Sequence, residues 1–454
     1  MSWISAFFNR AANYEEAFRA QDITSTAMKE AIREWFSLYY TAEATKREDP
    51  CMQIPYTIIR KLTKAVFAEY TTTASDNYAG EILDTLNDKK RKETFQKLMV
   101  GGEALLKPVP TAQGWKWTVI ARDSMLIFGR GTDGEITDVG TTETTSEGRY
   151  RYTLLERRTV AGGRLTIRNM LYQSDNENSV GVRVPLSTLT KYEVLPDEYT
   201  FPEGVHGLGL VQMRVPIINN VDGGKDGVSV YSAAVQAIHR INENEALLNG
   251  EFERGKSRIM APVDMLKKEN GKMALVDEVF TSISEANVGD FPVSIFSPEL
   301  RDESYKRRRD GYMRAIESII GLQRGILSDV QEQERTATEI TSSKGDYSLT
   351  VQDMQEVWRA AAADAVKLCG ALGVLYQVPN AHEVPENSWT VDFGDGILYD
   401  PAKEGQERLR QVQAGLLQPE RYLGWYYNLP AETAAQRARI RRDYMPEDAG
   451  GGEE

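Results

Sequence analysis

The sequence predicts an α+β protein in which helices open the chain, strands follow, and helices return to its end. Three observations carry this. Apolar residues keep helical spacing through 20–106, apolar and polar residues alternate in short runs between about 115 and 200, and a near-heptad beat begins at Thr336.

TSTAMKEAIREWFSLYY (24–40) and IPYTIIRKLTKAVFAEY (54–70) read as helices, followed by a charged helix over 84–100 that stops at Gly101-Gly102. From about 115 the texture changes. Trp115, Trp117 and Val119 alternate with polar residues, as do Leu165 and Ile167, and less strictly Asn169 to Leu171. Asp133-Gly134 and Gly162-Gly163 supply turns, so 115–200 reads as an antiparallel β meander.

VDGGKDG (221–227) has acids among glycines but lacks the ligand spacing and closing Glu of a calcium loop; it reads as a turn capping a helix that begins near Ser229. DFGDG (392–396) stands without the other kinase elements and is likewise a turn. In the helix over 228–254, Tyr231, Val235, Ile238, Ile241 and Leu248 are spaced by threes and fours.

GEFERGKS (250–257) matches the phosphate-loop pattern G-x-x-x-x-G-K-[ST]. Such a loop needs a strand before it and a helix after it. Here a helical pattern precedes, Pro262 follows within five residues, and Glu251 and Glu253 would face the phosphates. MALVDE (273–278) resembles a magnesium-holding strand, but the 15 residues between leave little room for a crossover helix. A P-loop NTPase using Gly250 to Ser257 is therefore the alternative reading, and a protein without catalysis the leading one.

Ser297-Pro298-Glu299 opens a helix carrying Tyr305, Tyr312, Ile316 and Ile319, with the basic run Lys306, Arg307, Arg308 and Arg309; it fades near Gly321. Ser328 to Arg335 is a polar, exposed loop. Thr336 and Glu339 then form a capping box for a helix of about 38 residues, roughly 57 Å long, with Ile340, Tyr347, Val351, Met354, Trp358, Ala361, Ala365, Leu368 and Leu372 on its apolar stripe. Further helices open at Asp400-Pro401, at Gln418-Pro419-Glu420 and at Pro430, the last running to Tyr444. EDAGGGEE at the end reads as disordered.

The 454 residues suffice for two to four structural regions, and a net charge of −13 excludes a polycation built to grip nucleic acid. Two distant cysteines, Cys51 and Cys369, and three scattered histidines, His206, His239 and His382, point to a reduced compartment and to no zinc site or catalytic triad. The N-terminus lacks the pattern of a secretory signal, and no uncharged run is long enough to span a bilayer. No cofactor or metal is expected.

The order of two long helices around a 44-residue insert (255–298), then a loop and a very long helix, resembles the portal protein of tailed bacteriophages, of the type found with long non-contractile tails. The likeness is strongest over 215–262, where G-x-S-x-Y-x-x-A falls at Gly227 to Ala234 and EF-x-x-GK-x-R at Glu251 to Arg258. TATEI (336–340) is similar to the start of the portal helix after the tunnel loop.

The resemblance implies a wing over 1–227, a stem helix over 228–254, a small α/β clip over 255–297, and a second stem helix over 298–322. It implies a tunnel loop over 323–335, a long wing helix over 336–376, and a crown with its tail over 377–454. It further implies a ring, expected to be a dodecamer, at one capsid vertex of the virion, assembled in the host cytoplasm. Double-stranded DNA would be packaged and ejected through it without sequence specificity. Major capsid and scaffolding proteins, the large terminase subunit and then a head-tail adaptor would be its partners, and no membrane. Gln331, Glu332, Gln333, Glu334 and Arg335 would line the channel, Lys306 to Arg309 would form a basic stem patch, and Lys256 and Arg258 would mark the stem-clip junction. A minor head protein without a channel is a further alternative.

Overall fold

The computed structural model describes residues 14–40, 52–87, 89–176, 179–202, 205, 207–254, 258–260, 266–269, 272–275, 294–296, 301–328, 337–394, 401–427, 429–431 and 433–445. At 89, 254, the four short strands of 258–296, 337–344, 401–404, 406 and 407 it describes backbone alone. The chain forms two compact units, Met1–Phe393 and Gly394–Glu454.

The first unit opens with helices α1 (Thr26–Tyr39), α2 (Ile54–Val66), α3 (Asn77–Leu86) and α4 (Lys89–Gly101). Ser25 caps α1 by accepting the Met28 amide at 3.1 Å, and Pro55 sits in the first turn of α2, where no N–H is needed. Two expectations are corrected here. The charged helix over 84–100 is split, because Asn87 is extended (φ −70°, ψ 172°) and closes α3. The second helix stops at Val66 rather than Tyr70, because Phe67 and Tyr70 turn into an aromatic cluster. Ring centroids there lie 5.6 Å apart for Phe67–Trp358 and 5.3 Å for Tyr70–Phe393, and the Arg91 guanidinium sits 4.1 Å over Tyr70.

Two antiparallel sheets follow. The strands β2 (Glu103–Thr111), β3 (Gly114–Ala121) and β10 (Val211–Arg214) run in the order β10-β2-β3. The strands β4 (Met125–Arg130), β5 (Ile136–Glu147), β6 (Tyr150–Ala161), β7 (Arg164–Ser174) and β8 (Val182–Val184) lie side by side in sequence order, and β9 (Glu198–Thr200) also pairs with β7. The predicted meander is thus present. Gly162 and Gly163, at φ 57° and 76°, make the two-residue turn between β6 and β7 that only a pair of positive-φ residues can make. Strand β2 was missed: its prolines, Pro108 and Pro110, argue against a strand, yet β10 pairs only with Glu103 to Leu106, so both prolines lie where one side of β2 has no partner.

Trp115 and Trp117 on β3 point into the core, as their alternation predicted, and each buried indole has an acceptor: Tyr78 Oη at 2.9 Å and Thr85 Oγ1 at 2.8 Å.

Helices α5 (Val235–Arg254), α6 (Asp302–Ile320) and α7 (Ala337–Tyr376) follow. All the predicted stripe residues of α7 from Tyr347 to Leu372 are buried. At 40 residues, about 60 Å, α7 is the spine on which the N-terminal helices pack. Gln355 donates to the Val66 carbonyl at 3.3 Å, and Tyr78 donates to the Cys369 carbonyl at 3.0 Å. Ile340 and the Thr336–Glu339 capping box lie outside the described side chains.

Between α5 and α6 the described backbone is strand: β11 (Arg258–Met260) pairs antiparallel with β14 (Ser294–Phe296), and β12 (Leu266–Glu269) with β13 (Lys272–Leu275). Any helix of the expected α/β insert lies outside the described residues. After α7, β15 (Trp389–Asp392) returns to pair with β1 (Thr71–Ala74), Thr71 opposite Asp392. Residues 377–393 belong to the first unit, and Asp392 of DFGDG ends a strand rather than lying in a turn.

The second unit contains α8 (Pro401–Gln413), α9 (Pro419–Tyr426) and α10 (Ala434–Tyr444). The last helix begins at Ala434, not Pro430. Thr433 accepts the Gln436 amide at 3.3 Å while the Gln436 side chain accepts the Thr433 amide at 2.9 Å, a capping box that fixes the start. Residues 447–454, the expected disordered tail, lie outside the described residues.

Candidate functional site

The segment that carries the family-like pattern, 215–234, is an anchor. Backbone close approach requires Gly227: a Cβ there would lie 2.5 Å from the Gly102 carbonyl oxygen. Ser229 donates to the Met99 carbonyl at 3.1 Å, Tyr231 donates to the Trp35 carbonyl at 2.8 Å, and both side chains are buried, as is Ala234. The Val230 amide donates to the Met99 carbonyl at 3.0 Å. These bonds hold 228–231 against α1 and α4, so the first expected stem helix does not start at 228; a 3₁₀ turn at Ser232–Ala234 leads into α5 at Val235.

The preceding acids are spent on structure. Asp222 accepts Ser25 Oγ, the Gly224 amide at 2.9 Å and Asn219 Nδ2 at 2.8 Å, and the Ser25 hydroxyl leads the bonds that hold its carboxyl below the ordinary range. Asp226 joins a buried network: its Oδ1 accepts Arg122 at 3.1 Å and Arg130 at 2.8 Å, while Glu103 Oε2 accepts Arg130 at 2.7 Å. Two guanidinium groups thus face two carboxylates, with no place left for a cation. Among the described residues, no group of three or more His, Cys, Asp or Glu side chains could hold a metal ion.

Helices α5 and α6 lie antiparallel. Glu251 near the end of α5 takes a bidentate pair from Arg301 at 2.9 and 2.7 Å and a bond from Tyr305 at 3.3 Å; one turn and more earlier, Asn244 donates to the Tyr305 carbonyl at 3.1 Å. Toward the other end, Ile238, Ile241, Ile316 and Ile320 share the main core. The predicted start at Ser297-Pro298-Glu299 is corrected: α6 begins at Asp302, with Asp302 and Glu303 in the first turn complementing the helix dipole, and 297–300 lie outside the described residues.

At the far end of α6 stands a buried carboxylate. Glu317 Oε1 accepts the amides of Gly325 (3.1 Å), Leu327 (2.6 Å) and Ser328 (2.9 Å), and Oε2 accepts Ser328 Oγ (2.8 Å). Glu317 and Ser328 are both buried. The polar segment was expected to be exposed from Ser328 onward; instead its first residue is tied into the fold, because a buried carboxylate needs donors on every side. Gly321, at φ 75°, ends α6, and a Cβ there would lie 2.6 Å from Thr350 Oγ1 on α7. The chain therefore leaves α6 with fixed geometry up to 328.

The predicted site residues are placed as follows. Lys306, Arg307 and Arg308 are exposed on α6, while Arg309 is half-buried. Lys306 pairs with Asp302 at 3.0 Å and Arg308 lies 5.7 Å from the Tyr312 ring. Four consecutive helical residues spread about 300° around the axis. Gln331, Glu332, Gln333, Glu334, Arg335 and Lys256 lie outside the described residues, as does the side chain of Arg258. Gly250 to Arg254 end helix α5 and Arg258 opens a strand, so the order around GEFERGKS is helix then strand, the reverse of a phosphate loop. MALVDE begins on β13, one arm of an antiparallel hairpin.

Sequence reasoning missed Glu317 and the Arg122–Arg130 network. A lone Glu on a charged helix carries no local signal of burial.

No family model matches the chain, and no curated protein matches it. Among solved structures, a chain of "Neck of native GTA particle computed with C12 symmetry" is similar at 14% identity and a TM-score of 0.45, over 93% of this chain and 99% of that one.

Proposed function

We propose that this chain is a portal subunit of a tailed-phage type of particle: a structural ring, without catalysis, through which double-stranded DNA is packaged and ejected at one vertex. The single observation that carries the reading is the agreement between pattern and packing at Gly227 to Ala234. Each patterned residue of G-x-S-x-Y-x-x-A has a physical reason to be what it is, and together they seat the start of α5 on the helical core. In this reading α5 and α6 form the stem, 255–297 the clip that meets the terminase and later an adaptor, and 323–335 the tunnel loop. The long helix α7 belongs to the wing and the second unit to the crown. Gln331 to Arg335 would touch DNA transiently, since an acidic subunit adds little salt-dependent phosphate affinity. The expected dodecamer, the partners, and virion localisation belong to the same proposal.

Light scattering coupled to size exclusion, with negative-stain images, tests it. Rings with an axial hole are expected; a chain that stays monomeric even with its capsid protein overturns the reading, and rings without a hole favour a minor head protein. Robust ATP hydrolysis lost in Lys256→Ala would instead establish the phosphate loop.

A further inference from the structure

Helix α7 ends at Tyr376, but the chain stays on it. Gln377 and Asn380, at φ 55° and 63°, hold left-handed backbone without being glycine, and over these residues the chain reverses. The Val378 amide donates to the Gly373 carbonyl at 3.0 Å, and the Ala381 amide to the Val378 carbonyl at 3.1 Å. A strap, residues 379–385, then runs back along α7 on a track of two glycines three residues apart. A Cβ at Gly373 would lie 2.7 Å from Ala381 Cβ, and one at Gly370 would lie 3.2 Å from the His382 carbonyl oxygen.

Two ties hold the strap to the residues just before α3. Beyond it, the Ser388 carbonyl accepts the Ser75 amide at 2.7 Å and Ser75 Oγ at 3.1 Å. Within it, His382 Nε2 lies 2.8 Å from Asp76 Oδ2, and Nδ1 lies 2.8 Å from the Asn380 carbonyl oxygen. A carboxylate and a backbone carbonyl can only accept, whereas a neutral imidazole has a single N–H. The geometry is therefore satisfied in full by the imidazolium alone. Asp76 is ionised, since the Ala79 amide that it caps, and then His382, hold its carboxyl below the ordinary range. The bonds to Asp76 and to Asn380 in turn hold His382 above its ordinary 6.5.

The other groups around the ring do not replace this pairing. The Tyr78 ring lies 5.4 Å away; burial pushes its phenol up, and it donates to the Cys369 carbonyl of α7. Burial likewise keeps Cys369 a thiol. The charged side chains nearest in sequence on the packed elements, Glu81, Lys367, Glu383 and Glu386, are all exposed.

We propose that the strap 379–385 is a pH-operated latch on α7, closed while His382 bridges Asp76 and Asn380 as an imidazolium and loosened when that proton leaves. Loss of the proton turns a bare ring nitrogen toward an oxygen, and the left-handed backbone at Gln377 favours release. Because the imidazole is raised on folding, the tie contributes in full below 6.5 and fades as pH rises through the folded value above it.

Amide hydrogen exchange of the full chain, followed by mass spectrometry between pH 5.5 and 8.5 and corrected for the intrinsic rate at each pH, tests the latch. Protection of peptides spanning Val378 to Val384 should fall about two- to fivefold across that range, the scale of one exposed charge pair. His382→Gln, neutral at every pH, should show the lower protection throughout and no such fall. Asp76→Asn keeps an acceptor for the Ala79 amide and offers His382 a donor, which suits the neutral ring; its strap should be protected as well at pH 8.5 as at pH 5.5, or better. Protection in wild type that ignores pH overturns the proposal, as does a fall that persists in His382→Gln or keeps its size in Asp76→Asn. The exchange is read on the strap itself, so titration at His239 or Asp123 is told apart by His382→Gln, and no outcome depends on the portal reading.

Discussion

Gly102 and Gly227 meet backbone to backbone: a Cβ on either would lie 2.5 Å from carbonyl atoms of the other. Gly102 also sits at φ 80°, where an L side chain is strained. Gly102→Ala should therefore cost about 2–4 kcal/mol in urea unfolding. Gly223→Ala is the control, with φ 70° but nothing within 4 Å of its Cβ, and should cost about 1–2 kcal/mol. Equal losses would show that conformation alone matters and that the close approach is relaxed away.

Glu317 is expected to hold the chain beyond α6. Glu317→Ala removes the acceptor of three amides, of which that of Ser328 is buried, and should cost about 2–4 kcal/mol. Glu317→Gln keeps one carbonyl oxygen for those amides and can donate to Ser328 Oγ, so it should cost about 1 kcal/mol. Amide hydrogen exchange at Gly325, Leu327 and Ser328 checks this; fast exchange in the Ala variant and near-native protection in the Gln variant are expected.

Asp123 gives the fold a pH dependence. Its carboxyl is buried, Oδ2 has no hydrogen-bond partner, and burial pushes its pKa to about 6 against the lowering effects of Ser124, Lys97 and Arg122. A pKa raised on folding means that the ionised form is the costly one. The penalty is absent below the unfolded carboxylate range, grows as pH rises toward 6, and is complete above it. Asp123→Asn should stabilise the protein by about 1–3 kcal/mol at pH 7.5 and by almost nothing near pH 3. A gain that does not vary with pH would assign the effect to packing.

Cys369 is buried, and burial pushes its thiol well above the ordinary value. In a Cys51→Ser background, native protein should show no thiol reacting with a disulfide reagent over minutes, and one after denaturation. Rapid native labelling would mean that the C-terminal part of α7 opens.

Elements were legible wherever burial follows a local period. The α7 stripe from Tyr347 to Leu372 and the alternation of Trp115 and Trp117 needed no tertiary information. What failed was set by distant partners. Strand β2 hides behind Pro108 and Pro110 until β10 is seen to cover only its other half, and the four residues of β1 give no strand signal of their own until β15 pairs with them. The turn at 221–227 was read as capping a helix that begins near Ser229, but the helix start slipped to Val235 because Ser229 and Tyr231 bond to α4 and α1. Glu317 was invisible for the same reason: its four donors come from the eleven residues that follow it, folded back by Gly321.

The pairing of β1 with β15 also times the birth of the first unit. Thr71 finds Asp392 only after 321 further residues have been made. At the roughly 5–20 residues per second of ribosomal synthesis, β1 waits some 16–64 s for its partner. Until then the nascent chain exposes an unpaired strand and the apolar face that α7 will cover, a period in which it depends on chaperones or on low concentration to stay clear of its neighbours.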